Sequence, residues 1–200
     1  MESLRSIWYA PDDPIALRFT AMQITQDQVG RNDQIVQLFR DIFAASEGAD
    51  EGALIHALSR DLLTTTPMDD LSVFTAEDTD TLCGCAIFTR LRFANDPRVA
   101  FLLSPMAVAT EHQGKGVGQK LLTHALNALR DEGVQVAVTY GDPNFYSRVG
   151  FAPVSTHTVP APQPLNMPHG WIAQSLTEAP LSPLSGPSTC APALNNPEFW

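Results

Sequence analysis

The chain has 200 residues, 44% of them hydrophobic, which is typical of one soluble globular domain with an extension. Its formal net charge of −10 argues against a nucleic-acid partner, whose phosphates would be repelled. No run of eighteen apolar residues predicts a membrane span, and the N-terminus lacks the pattern of a secretory signal. Three cysteines are too few for a disulfide scaffold, so we expect a reducing, cytoplasmic location.

The N-terminal half predicts a strand, two helices and three further strands. An N-terminal extension over residues 1–14 precedes a strand over 16–25. Apolar residues three and four apart predict a helix capped by Asn32 or Asp33, and a second helix over 53–63. The turns DTD and NDP then separate strands over 71–77, 81–93 and 98–109. This order predicts an antiparallel meander.

A glycine-rich loop opens the second half. The stretch HQGKGVGQ has three glycines in five positions and leads into a helix expected over 116–132, which Gly133 ends. A buried strand is expected over 134–140, so the strands flanking the helix should be parallel neighbours in a βαβ crossover. Asp142 and Pro143 then begin a short helix that ends at Gly150.

The C-terminal segment, residues 161–200, is rich in proline. Nine of the sixteen prolines lie in the last 41 residues, and one strand is predicted within 165–178. The final twenty residues cannot form a regular helix or a central strand. They can be disordered or ordered, but their apolar side chains favour packing on the domain, namely Leu181, Leu184, Leu194, Phe199 and Trp200.

The glycine loop predicts an anion site, because it presents backbone N–H groups at the positive end of a helix dipole. Its G-x-G-x-G spacing matches neither Walker A nor the dinucleotide fingerprint. An ordinary glycine-rich connection is the alternative on the loop alone. Cys83 and Cys85 form a C-x-C with no second pair of ligands nearby in sequence, so no metal site is predicted.

The segments that flank the loop favour an anion site over an ordinary glycine-rich connection. The order LLSPMAVA, EHQGKGVG, amphipathic helix, strand and NFYSRVGF resembles the GCN5-related N-acetyltransferase (GNAT) superfamily. Gln113, Gly116 and Gly118 stand at the positions of its Q/R-x-x-G-x-G/A motif, and the flanking pieces are most similar to the YhbS-like branch. The resemblance implies a GNAT domain over 15–160 with an α/β fold: a mixed central sheet, splayed between its fourth and fifth strands, with helices on both faces.

The same resemblance implies acetyl-CoA as the cosubstrate and no metal. The pyrophosphate would lie on the loop amides, where a Cβ at Gly116 or Gly118 would block its approach. The strand before the loop would offer backbone polar groups to the acetyl carbonyl and the pantetheine, with Pro105 fitting a local break in pairing. The implied binding residues are Met106, Ala107, Val108, Gln113, Gly114, Lys115, Gly116, Val117, Gly118 and Gln119.

Tyr146 is the candidate catalytic residue. Acetyl transfer to an amine needs loss of the amine's proton, a donor to the oxyanion and a proton for the leaving thiolate. The resemblance places Tyr146 at the family's thiolate-protonating tyrosine in Y-x-x-x-G-F, and an aromatic packing role is the alternative. Thr139 stands where the family often carries asparagine. No motif identifies the general base. The candidates are four polar residues near predicted strand ends: Glu77, Asp78, Glu111 and His112. A water chain that carries the amine's proton to solvent is the alternative to a single basic residue.

The expected function is transfer of acetyl from acetyl-CoA to a primary amine of a small molecule or a peptide, by direct attack in a ternary complex. A non-catalytic acyl-CoA-binding module is the alternative from another class, and Tyr146 favours the enzyme. A protein-binding role for the proline-rich tail is weakly supported, because its P-x-x-P segments lack flanking basic residues. No motif identifies the acceptor, and a homodimer stays open.

Overall fold

The computed structural model describes residues 22–27 and 29–200. The expected N-terminal extension and the first part of the first predicted strand lie outside the described residues. Within them the chain forms the following helices and strands: β1 (Gln23–Gln26), α1 (Asn32–Glu47), α2 (Ala49–Thr65), β2 (Leu71–Asp78), β3 (Thr81–Phe93), β4 (Asp96–Val108), α3 (Val117–Asp131), β5 (Val136–Tyr140), α4 (Pro143–Tyr146), β6 (Ala152–Pro153), β7 (Trp171–Ser175) and β8 (Ser188–Thr189).

One mixed sheet runs through the domain in the order β1-β2-β3-β4-β5-β7-β6, and β8 pairs with β3 off this path. The strands β1 to β4 are antiparallel neighbours, as the short turns between β2, β3 and β4 predict. β4 and β5 are parallel and are joined through α3, which confirms the predicted crossover.

The sheet opens between β4 and β5. Their register runs from Ala100 opposite Val136 to Leu103 opposite Thr139, whereas β4 continues to Val108 beyond this last pair. The register between β3 and β4 also shifts between the partners of Ala86 and Phe88, so Pro105 lies at a break in pairing, as expected. The second half of β4 therefore has one backbone edge that β5 does not cover.

Helices cover both faces of the sheet, which confirms the α/β fold. Side chains alternate along each strand, so Cys85 and Ile87 of β3 face one core layer, while Ala86 and Phe88 face the other. The first layer is completed by the apolar faces of α1 and α2, and the second by that of α3. α2 is longer than predicted and begins directly after α1, because Gly48 turns the chain at a φ of +108°.

The C-terminal segment contributes to the layer of α1 and α2 through six buried side chains: Trp171, Ala173, Leu184, Ala191, Leu194 and Trp200. Its strand β7 is shorter than the strand predicted over 165–178. Neither β8, which also lies in the segment, nor β6, which precedes it, was predicted. Both are two-residue strands, too short to leave an alternating pattern in the sequence.

A half-buried ion pair at the start of β4 also binds the segment. Arg98 donates to Asp96 Oδ2 at 2.6 Å, to the Ser182 carbonyl at 3.0 Å and to the Pro183 carbonyl at 2.6 Å. Asp96 also accepts from the backbone N–H of Ser185 at 3.1 Å. The hydrogen bonds from Arg98 are the main reason that the pKa of Asp96 is lowered to about 2.

Candidate active site

A cleft of about 890 Å³ lies where β4 and β5 part. One wall is built by the end of the paired part of β4, the end of β5 and α4. Further lining comes from the corner between α1 and α2, and from residues 198–200. The cleft thus joins segments that are far apart in sequence at the opening of the sheet.

Tyr146 lines this cleft and is half-buried. Its ring packs edge-on against Phe145 and Phe151, with centroids 5.0 Å and 5.7 Å away. Gly141 makes room for the ring, since an ideal Cβ on Gly141 would lie 2.7 Å from Tyr146 Cε2. Burial raises the pKa of Tyr146 to about 12, with a smaller contribution from the nearby Asp142 carboxylate. The phenol therefore keeps its proton at neutral pH.

Thr139 lines the cleft together with Tyr146. The Thr139 hydroxyl donates to the Leu103 carbonyl at 3.0 Å across the last pair of the β4–β5 register. The polar Thr139 side chain also opposes the rise in the pKa of Tyr146. Both side chains thus lie at the point where the strands separate.

The glycine loop is held in a left-handed conformation. Gly114 and Gly116 have φ values of +71° and +79°, which side chains with a Cβ rarely adopt. Gly116 is the N-cap of α3 and offers no side-chain cap, so the N–H groups of the first helical turn keep their capacity to bind an acceptor. Gln113 Nε2 donates to the Val108 carbonyl at 2.9 Å and ties the loop to β4. The exposed Lys115 adds a positive charge beside these donors.

Gly118 has a different reason for lacking a side chain. An ideal Cβ there would lie 3.0 Å from Met106 Cε and 3.1 Å from Phe145 Cζ. The first turn of α3 therefore packs closely under β4 and α4. This packing aligns the glycine loop, the exposed edge of β4 and the helix that carries Tyr146.

The polar residues suggested as general bases lie elsewhere. Glu77 forms an ion pair with Arg31, and Asp78 Oδ2 is 3.2 Å from His112 Nε2. Glu111 Oε1 is 3.7 Å from the other nitrogen of the same histidine. These four candidates are not among the residues that line the cleft.

The cleft contains three carboxylates that the sequence interpretation missed: Glu47, Glu51 and Glu198. Burial is the main cause of a raised pKa at Glu51, and the charges of Glu47 and Glu198 add to it. The spacing of four residues between Glu47 and Glu51 was visible in the sequence. Nothing there linked the two to Glu198.

Among residues 22–27 and 29–200, no group of three histidine, cysteine, aspartate or glutamate side chains is placed to hold a metal ion. Cys83 and Cys85 are buried thiols, and burial raises the pKa of each. No helix in this described part of the chain is long and apolar enough to cross a bilayer.

Comparison with known proteins agrees with this geometry. Residues 69–153 match the family model of the acetyltransferase (GNAT) domain. The N-acetyltransferase YjhQ of Escherichia coli strain K12 is 37% identical over 113 residues, which are 54% of this chain and 62% of YjhQ. The chain thus spans less than two thirds of that relative's length.

Two solved structures share the fold. The crystal structure of the GNAT family N-acetyltransferase YhbS from Escherichia coli, in complex with CoA, superposes with a TM-score of 0.71 at 22% identity, covering 88% of this chain and 92% of YhbS. A GNAT family acetyltransferase from Brucella melitensis, in complex with acetyl-CoA, superposes with a TM-score of 0.64 at 22% identity. The superposition covers 87% of this chain and 98% of the Brucella chain. Residues 69–153 are thus similar in sequence to the GNAT domain, and the chain shares the fold of these two structures.

Proposed function

We propose that this protein is an N-acetyltransferase that moves an acetyl group from acetyl-CoA to a primary amine. One observation carries the proposal: Tyr146 lines the cleft at the point where β4 and β5 separate. Beyond this point the chain continues from β4 into the glycine loop and α3. The solved structures of similar fold that contain CoA or acetyl-CoA support it, as does the match to the GNAT domain.

The residues present suit acetyl-CoA in two places. The edge of β4 over Met106, Ala107 and Val108, which β5 does not cover, offers backbone polar groups to an acyl and pantetheine chain. The left-handed glycine loop and the uncapped first turn of α3 offer N–H donors to a pyrophosphate over residues 113–119. Acetyl-CoA supplies an activated acetyl group as a thioester.

In the proposed reaction the neutral amine attacks the thioester carbonyl, a C–N bond forms and the C–S bond breaks. The products are an amide and a thiol, and the ammonium form of the acceptor releases one proton to solvent overall. Tyr146 donates a hydrogen bond to the sulfur as negative charge develops on it. Its pKa of about 12 exceeds that of an ordinary thiol, about 8.5, so stabilisation by hydrogen bonding is favoured over complete proton transfer.

Tyr146→Phe tests the proposal, because it removes the hydroxyl and keeps the ring packed. We expect kcat to fall by about 10² to 10⁴, the usual contribution of a positioned proton donor, with little change in acetyl-CoA affinity. Thiol release with a panel of amines gives kcat, and calorimetric titration gives the affinity. Wild-type turnover by the variant would contradict the role of Tyr146. Tight acetyl-CoA binding without acetylation of any amine would favour a non-catalytic acyl-CoA-binding module.

A further inference from the structure

The α1–α2 corner and the end of the C-terminal segment bring a concentration of negative charge to the cleft, which we call the acidic wall: Glu47, Glu51 and Glu198. Glu47 ends α1 and Glu51 lies in the first turn of α2, so the corner at Gly48 brings both to one side of the cleft. Glu198 reaches the same space from the C-terminal segment. All three line the cleft that also holds Tyr146.

This charge has no cationic partner within residues 22–27 and 29–200. The ion pairs of that part of the chain involve other carboxylates. His169 is the one basic side chain among the described residues that line the cleft, and Asp142 adds a further carboxylate. Glu198 Oε2 accepts only a neutral hydrogen bond, from Asn196 Nδ2 at 2.9 Å. Carboxylates close together in a cleft repel one another, and a bound cation relieves that repulsion.

Aromatic rings stand beside the acidic wall. Tyr140 and Trp200 stack with centroids 6.3 Å apart and planes 18° from parallel. The Tyr140 hydroxyl accepts from the backbone N–H of Met167 at 2.6 Å, which fixes the ring, and Phe43 and Phe199 also line the cleft. Aromatic faces attract ammonium groups and cover alkyl chains. The lining therefore suits an organic cation with apolar segments better than an anionic or neutral acceptor.

We propose that the acceptor is a polyamine, in which an alkyl chain joins the reacting primary amine to at least one further ammonium group. The acidic wall holds the remote ammonium, and the reacting amine attacks the thioester beside Tyr146. The cleft and Tyr146 define the acceptor site, and the three carboxylates make it favour a cationic acceptor. This inference rests on the proposed acetyl transfer, and its products are the N-acetylated polyamine and free thiol.

The test compares spermidine, a triamine, with butylamine, a monoamine. In the wild type we expect kcat/KM for spermidine to exceed that for butylamine by at least tenfold. Glu51→Gln should reduce this ratio at least tenfold, mainly through a higher KM for spermidine, and Glu198→Gln should act in the same direction. Glu178→Gln is the matched control, because Glu178 is exposed and lies outside the cleft. It should leave the ratio unchanged.

Calorimetric titration of spermidine into the protein saturated with CoA gives a second readout, independent of turnover. Spermidine should bind, and Glu51→Gln should weaken this binding at least tenfold at constant melting temperature. Equal kcat/KM for the two amines, or an unchanged KM for spermidine in both glutamine variants, would overturn the polyamine inference while acetyl transfer still stands. If acetyl-CoA binds but no amine is acetylated and spermidine does not bind, the proposed function and the inference both fail.

Discussion

Replacing Gly141 with alanine should displace the Tyr146 ring while the tyrosine itself remains in the sequence. The Gly141 backbone lies outside the left-handed region, so alanine introduces no backbone strain there. Its Cβ, however, would lie 2.7 Å from Tyr146 Cε2, whereas carbon atoms in contact keep about 3.5 to 4.0 Å. The ring must therefore move by about 1 Å.

A displacement of about 1 Å at a catalytic group costs on the order of 10²-fold in rate. We therefore expect kcat of Gly141→Ala to fall by about that factor, while the affinity for acetyl-CoA changes little. Steady-state thiol release with an accepted amine measures kcat, and calorimetry measures the affinity.

Two further variants separate ring displacement from general damage. Gly84→Ala is the control for adding a methyl group, because its Cβ would meet its nearest neighbours at an ordinary 3.4 Å. In the Tyr146→Phe background, Gly141→Ala should cost little more, since the hydroxyl that it displaces is already gone. Wild-type kcat in Gly141→Ala, or full additivity with Tyr146→Phe, would refute a catalytic role that depends on where the tyrosine lies.

Gly116→Val should weaken acetyl-CoA binding at least tenfold, about 1.4 kcal/mol, because valine does not adopt the φ of +79° at the loop. Calorimetry measures the affinity. The control is Gly133→Val, which strains a φ of +85° at the far end of α3. An equal loss of acetyl-CoA affinity in this control would show that backbone strain, and not the glycine loop, weakens binding. Thr139→Val should raise the pKa of Tyr146 further, because the polar group that opposes the rise is lost, and should lower kcat at constant acetyl-CoA affinity. Unchanged kcat would remove Thr139 from the mechanism. Because the pKa of Asp96 is depressed to about 2, its contribution to stability is complete above its usual range near 4 and is lost as the pH falls towards 2. Asp96→Asn should therefore flatten the decline of Tm over that pH range and speed proteolysis within residues 181–200 at pH 7, and an unchanged acid profile would contradict this.

The sequence alone predicted the elements whose signals are local. Alternating apolar residues and short turns predicted β2, β3 and β4, and the order strand, loop, helix and strand predicted the parallel pair β4–β5. The glycine spacing predicted an anion site, because its residues lie within a few positions of one another and backbone geometry fixes their relation. The resemblance to the GNAT superfamily singled out Tyr146 through its Y-x-x-x-G-F pattern, and its catalytic role stays a prediction.

Tertiary structure decided which distant segments meet. The acidic wall combines Glu47 and Glu51 with Glu198, and no local pattern relates side chains about 150 positions apart. β6 and β8 are too short to show a period and exist through partners elsewhere in the sheet. The path of the C-terminal segment follows from the apolar surface that α1, α2 and the sheet leave open to Leu184, Leu194 and Trp200. Burial of apolar area is non-directional, so composition shows that such residues will be covered, while only the assembled shape determines where.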